Sequence, residues 1–182
     1  DHYRTFRRLG LNVDFVHKNT EDFSGYKLIS VVGAIHISSD LISRISKAMA
    51  TLVFGPRTGA RVGNMQIPKN LPPQINLVKS RILRVETLPS NVSLEIDPVG
   101  RAGRYIETIK LDNNASPYLK LKNGQVIATK EESGAIYLAS MIDEEGLTAF
   151  YQKLFKEIKL DFLLMPDGIR RRSTEIEEFW FN

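Results

Sequence analysis

Hydrophobic side chains in the first third of the chain follow helical and strand-like spacings in turn. Apolar residues recur at near-helical intervals over residues 3–11, where Gly10 is a typical helix C-cap. A short strand is predicted at residues 13–16 and a turn at residues 22–25. The near-continuous apolar run at residues 27–32 (KLISVV) is typical of a strand buried on both faces of a parallel sheet.

A second helix and a third strand complete this pattern. Ser38, Ser39 and Asp40 are candidate N-caps for a helix with one apolar stripe over residues 41–49, and residues 51–54 (TLVF) predict the next strand. The order helix, strand, strand, helix, strand is a repeating α/β pattern, whose simplest topology pairs parallel strands through right-handed crossovers. The predicted fold class is therefore α/β, with a doubly wound, mostly parallel sheet.

The middle of the chain predicts extended structure without helices. Residues 66–74 (QIPKNLPPQ) are proline-rich and incompatible with a helix interior. Residues 81–88 alternate as a strand, and residues 94–96 are a further candidate strand. Residues 98–104 (PVGRAGR) are expected to form a loop before the alternating run at residues 105–110.

A hairpin and a helix are the clearest predictions in the second half. An Asn-Gly pair at residues 123–124 lies between two alternating runs, which is the strongest short-range hairpin signal. Residues 134–139 (GAIYLA) predict another strand, and Asp143 caps a helix with an apolar stripe over residues 147–158. From Gly168 onward the tail predicts the start of a further β element.

Composition limits the class of protein. The 182 residues suffice for one medium domain, or for one domain with a small appendage. The 25 basic and 21 acidic residues are interleaved, without the basic, aromatic-rich stripe of a nucleic-acid-binding surface. The absence of cysteine excludes disulfides and a cysteine nucleophile and fits a reducing compartment, so a cytoplasmic protein is expected. No apolar run reaches the roughly 18 residues that cross a bilayer, so no membrane partner is expected.

The most informative local feature is residues 51–59 (TLVFGPRTG), an apolar strand that ends in a glycine-flanked loop. Ligands and catalytic groups of doubly wound α/β proteins lie at such strand ends. A nucleophile in this elbow would be Cys or Ser, but the candidate positions hold Arg57 and Thr58. The loop therefore has the outline of a reactive site without its nucleophile.

No complete catalytic set is found elsewhere. The three histidines lack metal-ligand spacing. His36 follows a predicted strand, and it has two interpretations: a functional residue, or a loop histidine whose hydrogen bonds are satisfied within the fold. The adjacent acidic pairs at 131–132, 144–145 and 177–178 point apart on a helix or a strand, so none is a catalytic dyad by itself. Neither a phosphate-binding glycine motif nor a G-x-S-x-G elbow is present. We therefore predict no catalytic residue, no metal and no cofactor in this chain.

Two motifs, GPRTG at residues 55–59 and IPKNLPP at residues 67–73, are the most specific of a series of segments along the chain. The series begins with YRTFRRLGLNVDFV at residues 3–16 and ends with GIRRR and FWFN in the tail. Together these segments resemble, in the same order, the trimerisation domain of family 42 β-galactosidases over nearly the whole chain.

The resemblance implies a flavodoxin-like fold of the class I glutamine amidotransferase type, with an added β-hairpin and with its first strand missing before Asp1. It implies that residues 1–165 form the trimerisation domain and that residues 166–182 begin a small C-terminal β domain or the linker to it. The chain also begins without Met, so we expect a piece of a longer protein. The elbow of amidotransferases reads Gly-x-Cys-x-Gly, and residues 55–59 have the same outline with Arg57 at the cysteine position. Because the chain contains no cysteine, no thiolate is possible and glutamine hydrolysis is excluded.

Two hypotheses for function follow. The first is a non-catalytic assembly domain of a homotrimeric β-galactosidase, whose catalytic barrel outside this chain binds and hydrolyses terminal β-D-galactosides. The alternative is a small-molecule-binding or hydrolytic α/β domain that uses the 55–59 loop, with Arg57 holding a carboxylate or phosphate. The candidate interface or pocket residues are His36, Arg57, Thr58, Arg61, Pro68, Asn70 and Pro72.

Overall fold

Three helices and eleven strands make up the secondary structure, which a computed structural model describes for residues 1–182. In chain order they are α1 (His2–Arg8), β1 (Leu28–Val31), α2 (Ser39–Lys47), β2 (Thr51–Phe54), β3 (Arg81–Thr87), β4 (Ser93–Asp97), β5 (Arg101–Lys110), β6 (Ser116–Leu121), β7 (Val126–Lys130), β8 (Ile136–Leu138), β9 (Ser140–Ile142), α3 (Glu144–Glu157), β10 (Arg170–Ser173) and β11 (Glu178–Phe181). None of the helices is long and apolar enough to cross a membrane.

Nine of the strands belong to one sheet, in the order β1-β2-β8-β7-β6-β4-β5-β3, with β9 paired to β5. Strands β1, β2 and β8 are parallel neighbours. This part, together with the helices around it, confirms the predicted α/β class. From β8 to β3 the pairing is antiparallel, so the antiparallel part extends well beyond the single hairpin that we expected.

Strand β2 shows how the parallel strands are covered on both faces. Val53 packs in one buried cluster with Tyr151 of α3. Phe54, whose side chain points to the opposite face, packs in a second cluster with Ile45 of α2. Neighbouring residues of one strand thus contact helices on opposite sides, as the doubly wound arrangement requires.

The predicted helix caps and the predicted hairpin are confirmed. The Ser38 hydroxyl accepts a hydrogen bond from the Leu41 amide at 3.2 Å. The Asp143 carboxylate accepts one from the Gly146 amide at 2.8 Å. The Asn-Gly turn connects β6 and β7, with Gly124 at a φ of 90°.

Three local predictions are corrected. Residues 13–16 are extended but form no strand, and the Phe15 side chain is 83% exposed. An alternating pattern forms a ladder only beside a partner strand, and none pairs with this segment. Residues 101–104, expected in a loop, begin β5, because β4 pairs with residues 101–103 and places Leu94 opposite Ala102. Strand β1 is half-buried rather than buried on both faces, since it lies at the edge of the sheet.

The tail forms the β element that was predicted after Gly168. Strands β10 and β11 make a separate antiparallel sheet of two strands. Phe179, Trp180 and Phe181 of β11 are exposed. The hairpin is tied to the first part of the chain because the Ser173 amide donates a hydrogen bond to the Asn12 side chain at 3.1 Å.

Candidate functional site

The loop after β2 is a tight elbow. Arg57 has a φ of 66°, in the left-handed region where a side chain costs energy. The Gly55 amide donates a hydrogen bond to the Val31 carbonyl at 2.8 Å, and the Thr58 hydroxyl donates to the same oxygen at 3.1 Å. A Cβ at Gly55 would lie 2.7 Å from Val32 Cγ1, so this position requires glycine. Arg57 is thus held in a strained conformation by its surroundings.

A buried carboxylate lies beside the elbow. Glu107 on β5 is 2% exposed, and its Oε1 accepts a hydrogen bond from the Arg57 amide at 3.1 Å. The Tyr105 hydroxyl donates to Oε1 at 2.9 Å, and the Tyr137 hydroxyl donates to Oε2 at 2.8 Å. Burial raises the pKa of Glu107, and these hydrogen bonds oppose that rise. Burial near this carboxylate also raises the pKa of both tyrosine hydroxyls, which keeps them protonated as donors.

Sequence reasoning missed this carboxylate. One signal could have found it, because Tyr105 and Glu107 share one face of an alternating strand. A glutamate on the inward face of such a strand needs donors inside the fold. The donor from the elbow comes from a residue 50 positions away, so the sequence pattern alone does not identify it.

The Arg57 side chain is placed over an aromatic ring. Its guanidinium carbon lies 5.6 Å from the centre of the Tyr105 ring, within the range of a cation–π contact. The residue is exposed, and it forms no ion pair with Glu107. The sequence-based hypothesis that Arg57 holds an anion stays a prediction.

Three of the predicted site residues lie together in one cleft. His36, Arg61 and Asn70 line an open cleft of about 450 Å³ between the loop after β1 and the proline-rich segment. Arg61 is held beside the His36 loop because its amide donates a hydrogen bond to the Ile35 carbonyl at 2.9 Å. Arg81, at the start of β3, lines the same cleft and was not predicted.

The other predicted residues lie outside this cleft. Thr58 and Pro68 are buried. Pro72 is half-buried, and its carbonyl accepts a hydrogen bond from the Ile82 amide at 2.8 Å. Arg57 does not line the cleft either. The structure therefore brings together His36, Arg61 and Asn70 but separates them from the tip of the elbow.

Two of the acidic pairs have structural roles, as the sequence indicated. Glu131 is 4% exposed and accepts hydrogen bonds from the amides of Lys79 and Ser80. Glu144, in the first turn of α3, forms an ion pair with Arg8 at 2.8 Å. That hydrogen-bonded contact lowers the pKa of Glu144. No group of three or more His, Asp or Glu side chains is arranged to hold a metal ion.

Comparison with known proteins assigns the family. The family model of the β-galactosidase trimerisation domain matches residues 1–161. The chain belongs to this family. The resemblance that rested on the motifs at residues 55–59 and 67–73 is therefore confirmed.

Curated relatives of this trimerisation domain are much longer chains. The β-galactosidase BgaA of a Thermus species is 30% identical over 184 residues, which cover 99% of this chain and 28% of the relative. A β-galactosidase of Thermus thermophilus is 30% identical over 185 residues with the same two coverages, 99% and 28%. The chain thus spans little more than a quarter of the length of the curated relatives that it matches.

Solved structures share the fold of this trimerisation domain. The β-galactosidase from the psychrophilic Marinomonas ef1 superposes with a TM-score of 0.90 at 31% identity, over 100% of this chain and 28% of that one. The β-galactosidase from the haloarchaeon Halorubrum lacusprofundi superposes with a TM-score of 0.85 at 21% identity, over 94% of this chain and 28% of that one. The second likeness shows the fold alone.

Proposed function

We propose that this trimerisation domain joins three copies of a β-galactosidase and contains none of its catalytic residues. The match of the family model over residues 1–161 carries the proposal. Hydrolysis of terminal β-D-galactosides would depend on two positioned carboxylates in a catalytic barrel outside residues 1–182, which would also bind the substrate. The acidic pairs inside the chain support this division, because Glu131 already accepts hydrogen bonds from backbone amides and Glu144 already forms an ion pair with Arg8.

The proline-rich segment offers a surface that suits self-association. Met65, which directly precedes the segment, is 58% exposed, and Ile67 and Leu71 within it are 67% and 42% exposed. Exposed apolar side chains grouped in this way mark protein interfaces more often than isolated ones do. The segment is also fixed to the elbow, because the Gln74 amide donates a hydrogen bond to the Gly59 carbonyl at 2.7 Å. A segment that is already ordered loses little entropy when it docks, so we assign the contact with the next copy to it.

The division of the chain into two parts belongs to the same proposal. We assign residues 1–165 to the assembly domain and residues 166–182 to the start of a small β domain or the linker to it. The support is that β10 and β11 form their own sheet and expose the aromatic residues Phe179, Trp180 and Phe181. We place the protein in the cytoplasm, with which a sequence free of cysteine is compatible.

Sedimentation equilibrium of the chain over a range of concentrations tests the assembly. We expect a reversible trimer, and we expect the double variant Ile67→Glu, Leu71→Glu to dissociate because each new carboxylate would lose its hydration in the interface. Met49→Glu is the matched control, since Met49 is 97% exposed and lies outside the proline-rich segment. A wild-type chain that stays monomeric would contradict autonomous trimerisation. A double variant that trimerises as well as wild type would contradict the assigned surface.

A further inference from the structure

We propose that the cleft between the His36 loop and the proline-rich segment binds a small molecule through its phosphate or carboxylate group, with Arg61 and Arg81 as the cationic contacts. This function goes beyond assembly. It also concerns a site other than the elbow, because Arg57 does not line this cleft.

The ionisable residues that line the cleft are all basic. Its lining includes Arg61, Arg81 and His36 but no Asp or Glu. Other arginines of the chain, such as Arg8 and Arg44, have carboxylate partners at 2.8 and 2.9 Å, whereas Arg61 and Arg81 form no ion pair. Two arginines that line one concave surface without a carboxylate beside them favour a bound oxyanion.

The guanidinium of Arg81 and the backbone of Arg61 are held in place before any ligand arrives. Nη1 of Arg81 donates hydrogen bonds to the carbonyls of Val78 at 2.8 Å and Ser80 at 3.1 Å, which fixes the plane of the guanidinium. The backbone of Arg61 is fixed through its amide and the Ile35 carbonyl. A guanidinium whose orientation is already set presents its remaining N–H groups to a planar or tetrahedral oxyanion at a low entropic cost.

Neutral polar groups surround these cations. Asn70, Gln74, Asn76 and Ser39 line the same cleft. Its volume of about 450 Å³ is far larger than a bare ion needs and falls within the usual range of small-molecule sites. Ile37, Ile42, Val62 and Ile75 also line the cleft, so these features suit a ligand with a partly polar and partly apolar body that carries one anionic group.

A carboxylate could also come from an Asp or Glu side chain of a second copy of the chain. The apolar residues that we assign to self-association, Met65, Ile67 and Leu71, are absent from the lining of the cleft. The cleft and the association surface therefore share no residue, although Asn70 of the cleft directly precedes Leu71. This separation favours the small molecule as the occupant.

Isothermal titration calorimetry of the chain with inorganic phosphate and with citrate tests the proposal, with sodium chloride at matched ionic strength as the reference titration. We expect saturable binding of at least one of the two anions and none of chloride. Arg61→Gln should weaken that binding by about tenfold or more, because a charge-assisted hydrogen bond is lost. Arg61 makes no side-chain contact that the fold requires, so the variant should unfold at the same urea concentration as wild type. The matched control is Arg84→Gln on β3, which removes an exposed arginine outside the cleft and should bind like wild type.

Absence of binding by both anions, or equal binding by wild type and Arg61→Gln, would overturn the proposal. Sedimentation equilibrium of the same samples distinguishes the two sources of the anionic group. An unchanged association state of Arg61→Gln, with and without phosphate, supports the small molecule. Dissociation of the trimer by phosphate and by Arg61→Gln would instead assign the cleft to a carboxylate of a second copy and overturn the proposal. Failure of the chain to trimerise contradicts only the assembly function, because anion binding is measured separately.

Discussion

The carboxylate of Glu107 accepts a hydrogen bond from the backbone amide of Arg57 at 3.1 Å, across 50 positions of sequence. The contact joins β5, in the antiparallel part of the sheet, to the elbow that follows β2 in the parallel part. Tyr105 takes part twice, because its hydroxyl donates to Glu107 and its ring lies below the Arg57 guanidinium. The conformation of the elbow therefore depends on a distant strand.

Removal of this carboxylate should destabilise the chain strongly. Glu107→Ala leaves the hydroxyls of Tyr105 and Tyr137 and the amide of Arg57 without their acceptor, and we expect a loss of about 3 kcal/mol in the free energy of unfolding. Glu107→Gln keeps one acceptor oxygen, so about half of that loss is expected. Urea unfolding followed by circular dichroism measures both values.

The matched control for Glu107 is Glu86→Ala. Glu86 lies on β3 and forms an exposed ion pair with Arg84. Loss of an exposed pair should cost less than about 1 kcal/mol. An equal loss of stability at Glu86 and Glu107 would show that the buried hydrogen bonds do not support the elbow.

The left-handed conformation of Arg57 predicts an unusual order of stabilities. Arg57→Ala keeps the strain of a φ of 66° and loses the contact with Tyr105, so we expect a loss of about 1 kcal/mol. Arg57→Gly loses the same contact but relieves the strain, and it should be about 1 kcal/mol more stable than Arg57→Ala. Urea unfolding of both variants checks this order. A glycine variant less stable than the alanine variant would mean that the elbow adopts another conformation in solution.

Local signals in the sequence were sufficient for the elements that carry their own chemistry. Ser38 and Asp143 accept hydrogen bonds from the first turns of their helices, and the Asn-Gly turn closes its hairpin. These features could be predicted because each depends only on neighbours within a few residues. The elbow was found for the same reason, since its glycines are needed within one tight loop.

Contacts between distant segments could not be predicted in this way. Residues 13–16 have a strand pattern but no partner strand. Residues 101–103 have the pattern of a loop but pair with β4. The cleft likewise brings together His36, Arg61 and Arg81 from three segments, and nothing in the sequence of these segments predicts that they meet. Pairing and proximity are properties of the assembled sheet, so they appear only in the structure.

Two glycines with similar φ values should respond differently to a methyl group. Gly100 and Gly124 have φ values of 98° and 90°, so alanine is strained at either position. At Gly100 the new Cβ would also lie 2.4 Å from Gly146 Cα, whereas nothing lies within 4 Å of it at Gly124. We expect Gly124→Ala to lose about 1 kcal/mol and Gly100→Ala to lose about 3 kcal/mol or to fail to fold.

Thermal unfolding of the two variants under one set of conditions measures the difference. The backbone strain is common to both, so the excess loss at Gly100 reports the close approach of the loop before β5 to the first turn of α3. Equal losses would place that loop farther from α3 in solution than the structure shows.

The imidazole of His2 should make the chain sensitive to mild acid. His2 lies 2.7 Å from the Tyr151 hydroxyl, and burial lowers its pKa from 6.5 to about 4. Between these values the unfolded chain binds a proton that the folded chain does not, so the free energy of unfolding falls as the pH falls through this range. The stabilisation is fully present above pH 6.5, and the loss reaches at most about 3 kcal/mol near pH 4.

Replacement of His2 by glutamine isolates this effect, because glutamine stays neutral and can still hydrogen-bond to Tyr151. We expect the stability of His2→Gln relative to wild type to rise steadily as the pH falls from 6.5 to 4, as measured by urea unfolding at several pH values. His17→Gln is the matched control, since it makes the same substitution at an exposed histidine in the segment before β1. Parallel pH profiles for wild type and His2→Gln would show that the pKa of His2 is the same in the folded and the unfolded chain. That result would place its ring in water rather than against Tyr151.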